Sequence, residues 1–147
     1  HHDGSALSTL IEASMNSPEY LAHILDAARQ AATFAYAPYS KFQVGAAILT
    51  RSDKIIVGCN VENSSFGLTI CAERTAVVQA IVQNEREWRA IAIVSPTGVT
   101  PCGACRQVLA EFAPQLEVWF GYLDPQRPVT GPVLLETLLP GAMKFQV

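Results

Sequence analysis

The sequence predicts an α/β domain built as a three-layer αβα sandwich, in which helices cover both faces of one mixed β-sheet. The first observation behind this prediction is a helical pattern followed by two short apolar segments that a tight turn separates. The second is that apolar segments of strand length alternate with helical segments after residue 70. Such alternation is typical of parallel strands that are joined by helices.

The first half of the chain predicts one helix and a β-hairpin. In the helix, apolar residues recur at helical spacing from Leu21 to Ala32, and Ser17-Pro18-Glu19 has the composition of a helix start. The predicted elements are a helix over 18–35, strands over Phe42–Thr50 and Ile55–Val61 with a turn at Arg51–Lys54, and a loop over Asn60–Ile70.

The second half predicts alternating helices and strands. The elements are a helix over 72–84, a strand over Arg89–Ser95, a helix over 103–113, a strand over Glu117–Leu123, a proline-rich turn over Asp124–Pro132 that leaves room for a weak edge strand, and a helix over Val133–Leu139. We expect the strands after residue 88 to be parallel to one another.

The composition restricts the class of protein. The chain has 147 residues, of which 50% are hydrophobic and 16% charged, and these values exclude a disordered protein. No apolar run reaches the ~18 to 20 residues of a membrane span and no secretion signal is recognisable, so we expect a cytoplasmic protein that does not bind membranes. A net charge of −3 without a Lys/Arg cluster argues against nucleic acid as a partner.

Residues 1–5 resemble the remnant of a purification tag, and residues 6–147 are predicted to form a single domain. Outside this apparent tag the sole histidine is His23, which lies within a helical pattern. The sequence therefore offers little basis for a hydrolase that depends on a catalytic histidine.

Three cysteines at the starts of two predicted helices form a candidate metal site. Cys71 precedes one helix, whereas Cys102 and Cys105 begin another, and both helix starts are expected at the same edge of the sheet. Three thiolates leave the fourth coordination position of a zinc ion open, which is typical of a catalytic zinc that holds water. Cys59 lies within a predicted strand, where packing is the favoured interpretation.

Glu73 is the candidate acid–base residue. It lies two positions after Cys71, so the two side chains can meet only beyond the helix end, where the open zinc position is expected. There Glu73 would take a proton from the bound water and pass it to a leaving group. The two helix N-termini, together with Arg74 and Arg106, are expected to offset the negative charge of three thiolates.

Each of these features alone has a simpler interpretation. A C-x-x-C pair is compatible with a redox site, and a glutamate in the first turn of a helix often does no more than interact with the helix dipole. The combination of C-x-E at one helix start and P-C-x-x-C at a second is the signature of zinc deaminases.

Further segments extend this signature over most of the chain. They are Tyr36-Ala37-Pro38-Tyr39-Ser40-Lys41-Phe42-Gln43-Val44-Gly45-Ala46-Ala47, Gly58-Cys59-Asn60-Val61-Glu62-Asn63, Cys71-Ala72-Glu73-Arg74-Thr75-Ala76, Pro101-Cys102-Gly103-Ala104-Cys105-Arg106-Gln107 and Leu138-Leu139-Pro140-Gly141-Ala142. Together they resemble the small, three-cysteine, homotetrameric cytidine deaminases. The resemblance implies the cytidine deaminase fold, a homotetramer, and hydrolytic deamination of cytidine and 2′-deoxycytidine in pyrimidine salvage.

The resemblance also implies roles for individual residues. One zinc ion per chain would be bound by Cys71, Cys102 and Cys105, and Glu73 would shuttle the proton while zinc hydroxide attacks C4 of cytidine. The other contacts that it implies are Asn60 and Glu62 with the ribose hydroxyls, Phe42 and the backbone at Ala72 with the base, and Arg74 with the thiolates. By pattern alone, Asn60 and Glu62 are equally compatible with loop caps, and Phe42 with the core.

Three residues depart from the family pattern or lie where that pattern is variable. Phe66 stands where the family often has a tyrosine that reaches a neighbouring subunit. Met143 follows the Leu-Leu-Pro-Gly-Ala segment, where an aromatic residue that covers an adjacent active site is common, and Phe145 lies two residues further on. All three are candidate contacts between subunits.

Three alternatives stay open at this point. A blasticidin-type deaminase shares the cysteine motifs but lacks the Asn-x-Glu-Asn and Tyr-Ala-Pro-Tyr-Ser segments. A nucleic-acid deaminase usually has histidine as the first zinc ligand and requires a basic channel. A structural zinc or redox module would need a fourth protein ligand or a thiol that cycles between oxidation states.

Overall fold

The computed structural model describes residues 18–144. The elements in chain order are α1 (Tyr20–Ala32), β1 (Gly45–Thr50), β2 (Ile55–Cys59), a 3₁₀ turn (Phe66–Leu68), α2 (Ala72–Val82), β3 (Trp88–Ser95), α3 (Gly103–Phe112), β4 (Glu117–Tyr122), β5 (Thr130–Leu134) and α4 (Leu135–Leu138). The α/β class and the order of helix, hairpin and alternating elements are therefore as predicted.

The five strands form one mixed sheet in the order β2-β1-β3-β4-β5. Strand β1 pairs antiparallel with both β2 and β3, so β2 and β3 run in the same direction. The pairing of β3 with β4 is parallel, as expected, whereas β5 is antiparallel to β4. The segments that follow β2 and β3 consequently leave the sheet at the same edge, and these are the segments that carry the cysteines.

Two hydrophobic clusters separate the three layers. The period-two alternation of the strands places Ala47 and Leu49 of β1 against α1, and Ala46 and Ile48 against the helices of the opposite face. Among residues 18–144, helix α1 covers one face with buried residues such as Ile24, whereas α2, α3 and α4 cover the other. The predicted three-layer arrangement is confirmed.

The first predicted strand is shorter than expected. It begins at Gly45 and not at Phe42, and the side chain of Asn60 makes two of the hydrogen bonds of residues 42–44 that a paired strand would otherwise make. The side-chain Nδ2 of Asn60 donates to the carbonyl of Phe42 at 2.8 Å, and its Oδ1 accepts from the backbone amide of Val44 at 2.9 Å. The chain before β1 is thereby held by a side chain and leaves the regular ladder.

The prediction of a helix over Val133–Leu139 is wrong for its first two residues. Val133 and Leu134 belong to β5, where they pair with Val118 and Glu117, and the helix is the single turn Leu135–Leu138. Backbone hydrogen bonding of these two residues with the edge strand β4 stabilises the strand conformation more than their local helical pattern stabilises a helix. Helix α1 also begins later, at Tyr20, with Glu19 as an N-cap that makes no side-chain capping bond.

Several predicted features lie outside the described residues, namely Ser17 of the expected helix start, the tag-like residues 1–5, and Phe145. Within residues 18–144, no helix has both the length and the apolar composition that crossing a bilayer requires.

Helix α2 lies very close to β2, and Gly58 permits this approach. A Cβ atom at Gly58 would lie 2.3 Å from the amide nitrogen of Ala76 and 2.5 Å from the carbonyl oxygen of Ala72. Both atoms belong to the backbone of α2 and cannot yield without moving the helix. Because this helix begins beside Cys71, its distance from β2 determines where the cysteine lies.

We predict that Gly58→Ala lowers the free energy of unfolding by about 1 to 3 kcal/mol, the usual cost of overpacking. Denaturant unfolding measures it. Gly67→Ala is the matched control, since apart from its immediate chain neighbours no described residue has an atom within 4 Å of the added Cβ, and it is expected to change stability by no more than about 0.5 kcal/mol. Equal unfolding midpoints for the two variants would contradict the close-approach argument.

Candidate active site

The three predicted cysteine ligands converge at the starts of two helices. Cys71 is the N-cap of α2 and Cys102 is the N-cap of α3, and their sulfurs lie 3.9 Å apart. The sulfur of Cys105, in the first turn of α3, completes a group whose three sulfurs all lie within 4.8 Å of one another. Among residues 18–144 this is the one group of His, Cys, Asp and Glu side chains that could hold a metal ion.

The spacing of the sulfurs fits a zinc ion. With Zn–S bonds of ~2.3 Å and tetrahedral angles, two thiolate ligands lie about 3.8 Å apart. The separation of Cys71 and Cys102 is close to this value. Cys59 lies at the end of β2 and is not part of the group, as predicted. With three protein ligands in the described chain, the donor set is that of an open, catalytic type of zinc site.

The surroundings of Cys71 favour its thiolate, whereas the hydrogen bond with Cys71, together with burial, raises the pKa of Cys105. The hydrogen bond from the Cys105 thiol has the largest influence on the pKa of Cys71, and together with donation from Arg74 it lowers this pKa to about 5, against the opposing effect of burial. The Arg74 guanidinium donates to the Cys71 sulfur at 3.4 Å, and its role toward zinc-bound thiolates stays a prediction. The N-termini of α2 and α3 add partial positive charge at Cys71 and Cys102.

Glu73 lies beside the sulfurs and is buried, with 5% of its surface exposed. Burial raises the pKa of Glu73 to about 6, and the negative charge at Cys71 acts in the same direction. A carboxyl group with such a pKa can both accept and release a proton near neutral pH. The position and the burial of Glu73 therefore suit an acid–base residue.

A cavity of about 390 Å³ opens beside the cysteines. Its lining residues are Ser40, Phe42, Val44, Asn60, Glu62, Thr69, Cys71, Ala72, Glu73, Val99, Thr100 and Cys102. The same cavity is thus lined by Glu73, by two of the cysteines and by all four candidate substrate-binding residues (Phe42, Asn60, Glu62 and Ala72). The volume is in the range of pockets that hold small organic molecules.

Asn60 is buried and has a structural function as well as a place in the cavity wall. Its amide oxygen accepts one hydrogen bond, from Val44, and its amide nitrogen donates one, to Phe42. A side-chain amide has two donors and two acceptor positions, so one N–H and one lone pair of Asn60 stay available to a ligand.

Glu62 is held by the turn that precedes β1. Its Oε1 atom accepts from the backbone amides of Tyr39 and Ser40 at 3.0 and 3.1 Å, and its Oε2 atom accepts from the Ser40 hydroxyl. The Ser40 hydroxyl, followed by the two backbone amides, lowers the pKa of Glu62. The carboxylate therefore stays ionised and offers the cavity an acceptor in a defined orientation.

Arg106 does not reach the thiolates, contrary to expectation. Its guanidinium donates to the carbonyls of Pro101 and Leu138, each at 2.8 Å, and to the Thr100 hydroxyl at 3.3 Å. These partners lie on the loop before Cys102 and at the end of α4. Arg106 thus links the loop before Cys102 to the C-terminal segment, because its planar guanidinium group donates to three acceptors there. The guanidinium that donates to a cysteine sulfur is that of Arg74.

Phe66 and Met143, two of the three residues predicted to contact another subunit, lie outside the cavity wall. Phe66 is 72% exposed and packs edge-to-face on Tyr39 with 5.7 Å between ring centroids. Met143 is 66% exposed, and its carbonyl accepts from the Gln107 side chain at 3.1 Å. Both are accessible in the single chain, and the contact with a second subunit stays a prediction.

Sequence reasoning overlooked several residues of the cavity. Thr69, Val99 and Thr100 carry no local signal of a binding function, because each is an ordinary residue in a loop. Ser40 was visible within the Tyr-Ala-Pro-Tyr-Ser segment, but its partner Glu62 lies 22 residues further along the chain.

The chain matches the family model for the cytidine and deoxycytidylate deaminase zinc-binding region over residues 18–121. It is 48% identical over 124 residues to the cytidine deaminase of Halalkalibacterium halodurans, an alignment that covers 81% of this chain and 90% of the relative. A probable cytidine deaminase of Dictyostelium discoideum is 48% identical over 101 residues, which cover 67% of this chain and 68% of that protein.

Solved structures give a similar result. The crystal structure of cytidine deaminase from Burkholderia pseudomallei superposes with a TM-score of 0.76 at 46% identity, over 83% of this chain and 98% of that chain. The crystal structure of cytidine deaminase from Mycobacterium tuberculosis superposes with a TM-score of 0.72 at 39% identity, over 88% of this chain and the whole of that chain.

Proposed function

This chain belongs to the cytidine and deoxycytidylate deaminase family, and we propose that it hydrolyses cytidine to uridine and ammonia with one zinc ion per chain. The observation that carries this proposal is the group of three cysteine sulfurs beside the buried carboxyl group of Glu73, in the wall of a cavity large enough for a nucleoside.

The zinc ion would be held by Cys71, Cys102 and Cys105, whose sulfur spacing fits it. When bound, zinc supplies a Lewis acid that lowers the pKa of water to ~7 and so provides a nucleophile at neutral pH. Arg74 donates to the Cys71 sulfur and reduces the negative charge of the ligand set.

Glu73 moves the proton in the proposed reaction. Its carboxylate takes a proton from the attacking water as the oxygen of that water forms a bond with C4 of the pyrimidine, and it delivers this proton to the ring nitrogen N3. It then takes the remaining proton of the new hydroxyl group and delivers it to the exocyclic nitrogen. The C4 carbonyl forms, the bond between C4 and the exocyclic nitrogen breaks, and ammonia leaves. Water and cytidine are consumed and uridine and ammonia are formed, so no oxidant or reductant is needed.

The remaining cavity residues orient the nucleoside. Phe42 would pack against the pyrimidine, and the backbone at Ala72 would contact the base. Asn60 has one free N–H, and Glu62 has one free acceptor position on Oε2, so the pair can satisfy a single sugar hydroxyl as donor and acceptor together. Because one hydroxyl suffices for this pair, we propose that 2′-deoxycytidine is also a substrate.

We place the reaction in cytoplasmic pyrimidine salvage, on the strength of the family resemblance. Recovery of the chain from another cellular compartment, or an unchanged uridine supply in cells that lack it, would contradict this assignment.

We predict that the protein is a homotetramer. Apolar side chains on β2, the 3₁₀ turn and α2 are exposed in the single chain, among them Val57, Phe66, Leu68, Val78 and Val82. A neighbouring subunit would bury them. Light scattering on the purified protein measures the mass, and a monomer at micromolar concentration would contradict the prediction.

We predict that the purified protein converts cytidine to uridine and contains about one zinc per chain. Loss of cytidine absorbance and elemental analysis measure the two quantities on the same batch. Cys102→Ala is expected to lose both zinc and turnover, whereas Cys59→Ala, a cysteine outside the cluster, is expected to keep both. Zinc without cytidine turnover, combined with activity on blasticidin S or on cytosine in single-stranded DNA, would replace the proposed substrate.

We predict that Glu73→Gln keeps the fold and the zinc ion but lowers kcat by a factor of roughly 10³ or more, because the amide cannot carry the proton. Single-turnover kinetics and zinc analysis of the variant test this. Glu111→Gln is the matched control on the exposed surface of α3 and is expected to retain full activity. A Glu73→Gln variant with ordinary turnover would remove Glu73 from the mechanism.

A further inference from the structure

We propose that Ser40 is a positioning residue, whose hydroxyl determines the direction from which the Oε2 atom of the Glu62 carboxylate receives the sugar hydroxyl of the substrate. The proposal rests on the proposed function, because it takes Glu62 as a residue that binds the sugar.

The hydrogen bonds of Glu62 distinguish its two oxygens. Oε1 accepts from two backbone amides, those of Tyr39 and Ser40, at 3.0 and 3.1 Å. A carboxylate oxygen has two lone pairs, so these two amides occupy Oε1 completely. Oε2 accepts one hydrogen bond from the described chain, that of the Ser40 hydroxyl. The free acceptor position of Glu62 therefore lies on the oxygen that Ser40 already contacts.

This arrangement gives the Ser40 hydroxyl a specific effect. When one lone pair of Oε2 is occupied, the second has a defined direction, and a ligand hydroxyl must approach along it. Without the hydroxyl, both lone pairs of Oε2 would be free, and the carboxylate would be held through Oε1 alone. The acceptor would then be less well oriented before the substrate arrives, which lowers affinity.

The same hydroxyl also contacts the base side of the cavity. Ser40 Oγ accepts from the backbone amide of Phe42 at 3.0 Å, so one oxygen atom lies between the residue proposed for the base and the residue proposed for the sugar. Ser40 itself lines the cavity. Its position in the turn is stabilised by the hydrogen bond from the Lys41 amide to the carbonyl of Ala37 at 3.0 Å.

A comparison with Ser52 separates this effect from the loss of any serine–glutamate hydrogen bond. Ser52 Oγ donates to the Glu85 carboxylate at 2.8 Å, in the hairpin turn between β1 and β2 and outside the cavity wall. Ser52→Ala removes an equivalent bond at a site where no substrate contact is proposed.

The test is a double-mutant cycle with cytidine as substrate. Ser40→Ala, Glu62→Gln and the double variant are compared with the unmodified enzyme, and Ser52→Ala is the control. We expect Ser40→Ala to lower kcat/KM about tenfold, mainly through a higher KM, since the lost interaction binds ground state and transition state alike. In the Glu62→Gln background the same substitution is expected to change kcat/KM less than about twofold, because residues that act through one group are not additive.

Two further variants guard against a purely structural effect. Ser40→Thr keeps the hydroxyl and is expected to restore kcat/KM to within about threefold, whereas Ser40→Cys has a similar shape with a weak donor and is expected to behave as Ser40→Ala does. Should Ser40→Ala fail to fold, the cycle is run with Ser40→Cys. Ser52→Ala is expected to leave kcat and KM unchanged.

The outcomes distinguish the positioning role of Ser40 from the proposed sugar-binding role of Glu62. An equal loss from Ser40→Ala with and without Glu62, or no loss at all, would overturn the positioning role and leave the sugar-binding role of Glu62 intact. Unchanged kcat/KM in Glu62→Gln alone would overturn both. Loss that depends on Glu62 and is restored by Ser40→Thr supports the proposal.

Discussion

The meeting of two helix N-termini at one edge of the sheet is the constraint on which the rest of the molecule depends. Strands β2 and β3 are both antiparallel to β1 and so run in the same direction, and the helices that follow them begin side by side. Cys71 and Cys102 are the N-caps of those helices, with sulfurs 3.9 Å apart. The helix dipoles stabilise thiolates at this point. A sheet with another strand order would separate the sulfurs.

Close packing of α2 against β2 fixes the positions of the site residues at the start of α2. Helix α2 lies against β2 with only a glycine between the two backbones, and Ala72 and Ala76 on its inner face are fully buried. Glu73 is therefore buried, because it lies in the first turn of α2, directly after the N-cap residue Cys71 and the buried Ala72. The desolvation that results raises its pKa towards neutrality, which is where a group that must gain and lose a proton is most effective.

Polar side chains take the place of backbone partners in the wall opposite the sulfurs. Asn60 holds residues 42–44 by two hydrogen bonds, and Glu62 is held by the turn at Tyr39 and Ser40. Each side chain still has hydrogen-bonding capacity directed to a ligand. The groups that shape the cavity are thus the same as those proposed to bind the substrate, and their orientation exists without a ligand.

The amino-acid sequence by itself determined the fold class and the identity of the candidate site residues Cys71, Cys102, Cys105 and Glu73, because these depend on short-range patterns: strand and helix periodicity, and the spacing of residues around two helix starts. That the three sulfurs meet depends on the strand order of the folded sheet. Only the tertiary structure decided the antiparallel edge strand at Val133, the partners of Arg106, and the bond between Ser40 and Glu62. Each of these joins segments that are distant along the chain. The partners in these interactions are the edge of the sheet for Val133, three acceptors for Arg106 and the Glu62 carboxylate for Ser40. Each partner is in place only after the chain has folded.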